Sequence, residues 1–430
     1  MFNKNNLNIL IVFINKFLST FTGMLVMFFL SKETSQDVLG KYTLLISYLY
    51  LFASFGIGGG VNTILMNYRS EKSRGKGKLL RFLLKRMSIT SFLAIFFIVL
   101  ASLFFENVLN DIFILSAFFF IVILKILIDI SSAFLRCSGY DVYGVVLDSL
   151  LRPLVFLILI FTVNIYLKLN FLSIILLLTL SFLLVYFIGV APLILSIIRK
   201  NKLSLKSSYS YIEKIKLQRN ANMFMVITFS QVASRHLDII FIGAVLSSSS
   251  VAVYVVGAKI AAIGSFILLA ATSVIAPRIS SLRNEGIERL NKELYANNRF
   301  ASLVGGAVTL VVCFCAEPFI NYFFGQNYHK AINIIYILSL AEFILVLLGD
   351  SSIVMNMLGM ASKNAKWLIV NVILQSILII CISSTGGLIL MVVAISFVRC
   401  FYKVFLLIYL RKQGIYVSCL DPQNWYLIKP

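Results

Sequence analysis

Long apolar runs separated by short polar ones recur along the whole chain. The first, LNILIVFINKFLSTFTGMLVMFFL, shows no strand-like alternation and is long enough to cross about 30 Å of hydrocarbon as a helix. It is too long for a signal peptide, is interrupted by Asn15 and Lys16, and lacks a small-x-small cleavage site, so it reads as a span. Twelve spans follow from the pattern: residues 7–30, 40–67, 80–105, 112–135, 142–164, 171–198, 220–246, 250–276, 299–318, 331–358, 364–383 and 387–410. The expected fold is therefore an all-α polytopic membrane protein. Composition agrees, with 60% hydrophobic residues, 13% charged residues and a mean hydropathy of +0.97 over 430 residues.

The connections fall into two unlike sets. Lys4, residues 69–86, 136–141, 199–219, 278–299 and 363–366, and the tail carry 27 of the 38 Lys and Arg. The connections on the other side carry three, Lys32, Lys168 and Lys330. This bias predicts that the basic set and both termini are cytoplasmic. The net charge of +21 then faces the inner leaflet and needs no nucleic acid to explain it. The opposite loops are short, which leaves no room for an external catalytic site, and no enzyme is expected.

The chain also repeats itself. LSKETSQDVLGKY (30–42) and LSSSSVAVY (246–254) each join a helix end to a short polar turn and a small-x-Tyr entry. Gly139 and Gly359 each precede a short polar turn after spans 4 and 10. Two pseudo-symmetric six-helix lobes are expected, residues 1–198 and 220–430, joined by a basic linker at 199–219.

Charges inside the spans change the picture from architecture to function. Lys16, Lys41, Lys125, Arg152, Arg235, Lys259, Arg399 and Lys403 lie there with Asp129, Asp148, Asp238, Glu342 and Asp350; Arg299 and Glu317, at the ends of span 9, go with the loops. Facing lipid, these groups would cost roughly 30–45 kcal/mol in total on insertion scales, so most must face one another or water. Asp238 and Lys259 are level in neighbouring spans, Arg235 is one turn from Asp238, and these two cations are expected to share the one acid. Lys125–Asp129 and Asp148–Arg152 are i,i+4 pairs whose levels match, giving a four-charge cluster. Lys41 and Lys403 read as snorkelling to an interface. Eight positive against five negative charges leave a surplus that implies an anionic guest in a hydrated cavity.

Other features carry less chemistry. His236 must point to a different face from Arg235 and reads as packed or hydrogen-bonded. FGIGGG (55–60) lacks the strand of a phosphate loop and reads as close packing or a bend. The six cysteines read as small apolar side chains; Cys313 and Cys315 point about 200° apart on a helix, and no metal site or cofactor is expected.

Several stretches resemble the multidrug/oligosaccharidyl-lipid/polysaccharide exporter superfamily, and within it the Wzx-type O-antigen and polysaccharide flippases. They are FGIGGGVN, HLDIIFIGAVLSSSSVAVYVVGAKI, APRISSLRNEG, FFGQNYHKAINIIYILSL and VMNMLGMASKNAK. The resemblance implies translocation of an undecaprenyl-pyrophosphate-linked oligosaccharide across a bacterial inner membrane, by alternating access of two lobes. Membrane lipids, a polysaccharide polymerase and chain-length proteins are its candidate partners. Relatives that export drugs usually carry a carboxylate in span 1 or 7; here Lys16 stands in span 1, and Arg235 stands beside Asp238 in span 7. The expected headgroup contacts are Arg235, Lys259 and Lys16, then Lys125, Arg152 and Arg399. Asp129, Asp238, Glu342 and Asp350 are the candidates for ion coupling. The alternative on the same fold is a cation-coupled exporter of small molecules.

Overall fold

The computed structural model describes residues 4–68, 73–104, 111–192, 209–383 and 387–421. Among them every regular element is helical. The first half holds α1 (Lys4–Glu33), α2 (Gln36–Gly56), α3 (Gly60–Asn67), α4 (Ser73–Phe104), α5 (Ile112–Cys137), α6 (Asp141–Val146), α7 (Arg152–Asn164) and α8 (Phe171–Leu184). After these come α9 (Tyr211–Val245), α10 (Ser248–Ala261), α11 (Phe266–Ile275), α12 (Ile279–Glu285), α13 (Ile287–Phe323), α14 (Lys330–Leu348), α15 (Ser351–Met357), α16 (Ala361–Ser383) and α17 (Leu388–Arg411).

Among the described residues, ten helical stretches are long and apolar enough to cross a membrane, or eleven if the bent pair α10–α11 counts as one span. The helix α1 occupies the run expected to form the first span. Over its described residues, each expected span thus coincides with one helix or with helices in series; residues 105 and 193–198 of the expected spans lie outside the described residues. The chain divides into two compact units, residues 1–236 and 237–430, and the division falls inside α9.

In the first unit, the glycine run breaks its span. Gly58 and Gly59 take φ of +58° and +77°, a region that side chains rarely tolerate. A Cβ on Gly59 would lie 2.2 Å from the Ala221 carbonyl oxygen on α9, so the run is both the bend and the close contact that the sequence suggested. The break frees carbonyls at the end of α2, and α4 supplies the donors. Thr90 Oγ1 donates to Gly56 O at 2.6 Å, and Arg86 Nε donates to Gly58 O at 2.7 Å. Arg86 Nη2 also donates to Asn222 Oδ1 on α9 at 2.7 Å.

The span of α6 and α7 is interrupted differently, by a π turn at Leu147–Leu151. The i,i+4 pairing expected of Asp148 with Arg152 falls across this wider winding. The Asp148 side chain lies outside the described residues.

In the second unit, α10 and α11 meet at 50°. Gly264 lies in this bend, where a Cβ would approach Thr309 Oγ1 to 2.5 Å. A further break separates α14 from α15 at Gly349, with φ of +76°. An apolar cluster that includes Ile279, Leu290, Leu294, Leu348, Met355, Leu406 and Leu410 packs one end of this unit.

Candidate functional site

Tyr50, on α2, gathers the charged side chains of the first unit. Lys125 Nζ from α5 lies 5.4 Å from its ring centroid, and the Arg152 guanidinium from α7 lies 5.5 Å away. Arg152 Nη2 donates to Tyr50 Oη at 2.6 Å and the same guanidinium lies 5.0 Å from the Phe182 ring. Lys125, only 6% exposed, pairs with Asp129 one turn along the helix, as the spacing predicted. A tyrosine ring offers a negative face to both cations, each contact contributing about 0.5–2 kcal/mol where water is scarce. His236 stacks on Tyr50 with centroids 5.2 Å apart and an angle of 16°. Its Nδ1 is 3.3 Å from Ser47 Oγ, one turn from Tyr50 on α2. The packed, hydrogen-bonded role expected of His236 is the observed one.

The second unit arranges its charges as closed pairs. Asp238, 3% exposed, accepts at Oδ2 from Tyr254 Oη at 2.6 Å and from Arg399 Nη2 at 2.8 Å. Arg399 Nη1 lies 3.9 Å from Glu342 Oε1. One turn along α17, Lys403 Nζ meets Asp350 Oδ1 at 3.1 Å. Two expectations are corrected here. The cation that holds Asp238 is Arg399, from the last span, in place of a sharing between Arg235 and Lys259. Lys403 does not snorkel; it is held within the unit by Asp350. The face of α10 that meets Asp238 carries Tyr254, and Lys259, five residues on, sits about 140° round that helix.

The remaining candidates are placed as follows. Lys16 belongs to α1, with a side chain outside the described residues. Lys259 is exposed on α10, and Lys41 pairs with Asp37 at 2.8 Å. Arg235 is exposed on α9 and forms no ion pair among the described residues. It lies ten residues, or about 15 Å, before the end of α9, where an arginine facing lipid would be costly. Such a side chain needs water or an anion.

Sequence reasoning missed Tyr50, Tyr254 and Arg86. Tyrosines are common in apolar spans, and the partners of these two become visible only when helices pack. Arg86 was legible in part, since it falls opposite a glycine run that had to bend.

The comparisons with known proteins bear on this arrangement. A model of the family described as polysaccharide biosynthesis protein matches residues 150–333. No curated protein sequence matches the chain. Among solved structures, an inward-facing multidrug resistance MATE family transporter of the MOP superfamily is similar with a TM-score of 0.69 at 15% identity, over 92% of this chain and 94% of that one. The lipid II flippase MurJ, in an inward closed conformation, gives 0.69 at 16% identity, over 94% and 87%. A MOP superfamily transporter from Pyrococcus furiosus, described by the reverse polarity of its binding pocket, gives 0.60 at 14%, over 98% and 96%. The chain thus has the fold of the MOP superfamily.

Proposed function

We propose that this chain, built on the MOP fold, is a Wzx-type flippase that carries a polyprenyl-pyrophosphate-linked oligosaccharide from the cytoplasmic to the periplasmic leaflet of a bacterial inner membrane. One observation supports this above the others: the surplus of positive charge. With Lys41 neutralised by Asp37, the spans of the first unit hold Lys16, Lys125, Arg152 and Arg235 against Asp129 and Asp148, whereas Lys259, Arg399 and Lys403 in the second unit are matched in number by Asp238, Glu342 and Asp350. A pyrophosphate brings the negative charge that such a surplus lacks, and arginine binds it through paired donors. The match to a polysaccharide biosynthesis family over 150–333 favours a glycan as the group carried.

In this reading Arg235 and Lys259, both exposed, are the primary headgroup contacts, with Lys16 beside them in role. Lys125 and Arg152 on Tyr50 set the local potential. Sugars travel through water while the prenyl chain stays in lipid, and the site is exposed to the two faces of the membrane in turn. A cation-coupled exporter of small molecules would need a carboxylate that gains and loses a proton or metal ion. Asp129, Asp238, Glu342 and Asp350 each have a Lys or Arg within ion-pair distance, which favours the flippase.

The test is the leaflet in which lipid-linked oligosaccharide collects when the protein is depleted, read with a membrane-impermeant glycan probe on spheroplasts. The expected result is accumulation on the cytoplasmic side, relieved by the wild-type chain but not by Arg235→Ala or Lys259→Ala at equal protein level. Unchanged lipid-linked sugar on both sides would discard this reading and move the small-molecule exporter to first place.

A further inference from the structure

The break between α14 and α15 leaves backbone groups in need of partners. In an unbroken helix the Leu347 carbonyl would accept from the Ser351 N–H, but that N–H donates to Gly349 O at 3.1 Å. Leu347 O instead accepts from Ser418 Oγ at 3.0 Å, Cys419 N at 3.3 Å and Asn298 Nδ2 at 3.4 Å. Two of these donors come from the segment that follows α17, residues 412–421.

That segment is read by two buried asparagines of α13, seven residues and hence two turns apart. Asn291 Nδ2 donates to Gly414 O at 2.9 Å while its Oδ1 accepts from Tyr416 N at 3.0 Å, the paired bonds that a neighbouring strand would make. Asn298 Nδ2 donates to Val417 O at 3.0 Å. Burying an amide is costly unless it is fully bonded, and here both amides are spent on the backbone of a distant stretch. Side chains supply the selectivity. Ile415 and Val417 enter the apolar cluster of the unit, and Asp421, which also accepts from Ser418 N at 3.2 Å, pairs with Arg411. The fit is close, for a Cβ on Gly349 would lie 2.6 Å from Asn298 Nδ2 and 3.0 Å from Val417 Cγ1.

Backbone bonds for affinity and alternate side chains for specificity are the terms on which extended peptides are bound. We propose that α13 and the break in span 10 form a peptide-binding groove, filled in cis by residues 414–421, whose occupancy fixes the break and with it Asp350 against Lys403. The segment is then a positioning element of the second unit, whatever the protein transports.

The test uses the full-length, folded chain with a protease site inserted between Lys412 and Gln413. After cleavage the released fragment should stay bound through gel filtration, and an excess of synthetic peptide 414–421 carrying Cys419→Ser should displace it. Asn298→Ala should release it at least tenfold faster. Immediate separation of the fragment from the otherwise wild-type chain, or equal release from the two, would overturn the proposal. Should cutting unfold the protein, the uncut chain with its other five cysteines replaced by serine serves instead. Thiol labelling of Cys419 should then be at least tenfold faster in Asn291→Ala/Asn298→Ala, and equal rates would likewise overturn the groove.

Discussion

The two units handle buried charge in opposite ways. In the second, Asp238, Arg399 and Tyr254 close on one another, Glu342 stands beside Arg399, and Lys403 closes on Asp350. In the first, two cations share one tyrosine ring, a third stands exposed on α9, and the acids are outnumbered. A neutral, hydrogen-bonded network specifies packing. A surplus cannot neutralise itself, so its cost is offset only when something negative arrives. In the proposed function the second unit is mostly scaffold, contributing Lys259 to the headgroup, and the first supplies the other primary contacts.

That contrast can be broken or sharpened by substitution. The largest effect on stability is expected for Asp238→Ala, which strands Arg399. Loss of one partner of a buried pair costs about 3–5 kcal/mol. The double change Asp238→Asn/Arg399→Gln should recover much of that, and a thermal melt in detergent followed by size-exclusion would show it. If the double variant melts as low as the single one, the pair is not the unit that matters. Tyr254→Phe removes one bond to a charged acceptor and should cost about 1.5–3 kcal/mol on the same assay. Arg235→Ala should change the melt by less than about 0.5 kcal/mol, as an exposed group would, yet cut glycan translocation at least tenfold. An unstable but active Arg235→Ala protein would reverse the roles assigned to the units.

The smallest and most discriminating test lies at Asp421. Burial pushes its carboxyl up from the ordinary carboxylate value, and the Arg411 guanidinium pulls it back. A carboxyl raised in the folded state favours docking of the segment below its folded value and loses that contribution as pH climbs through it. Asp421→Asn, which carries no charge to desolvate, should therefore leave Cys419 labelling close to wild type. Arg411→Ala strands the carboxylate and should speed it. Comparable acceleration by both changes would show that the ion pair, not the asparagine contacts, holds the segment.

What could be read from the sequence was local. Lys125 and Asp129 met because four residues on a helix return to one face, and the glycines of 55–60 bent because two of them take conformations that other residues avoid. Asp238 and Arg399 are 161 positions apart, and no periodicity connects them. Between Asp148 and Arg152 the chain winds as a π turn, which a count of residues does not foresee. The spans were legible because lipid imposes a length. The partners within them depend on helix packing, which hydropathy does not encode.

The elbow at Gly58 and Gly59 also sets the match to membrane thickness. The helix α2 has 21 residues, about 31 Å of rise, and so already equals the hydrocarbon depth of an ordinary bilayer. Its apolar run continues to residue 67, and unbroken it would overshoot that depth and have to tilt. Ending the helix at Gly56 absorbs the excess in α3. With Gly59 pressed on the Ala221 carbonyl and the freed carbonyls held by Thr90 and Arg86, the span cannot lengthen by straightening. A thicker bilayer must therefore thin around the protein, which makes lipid chain length an external variable acting on its stability.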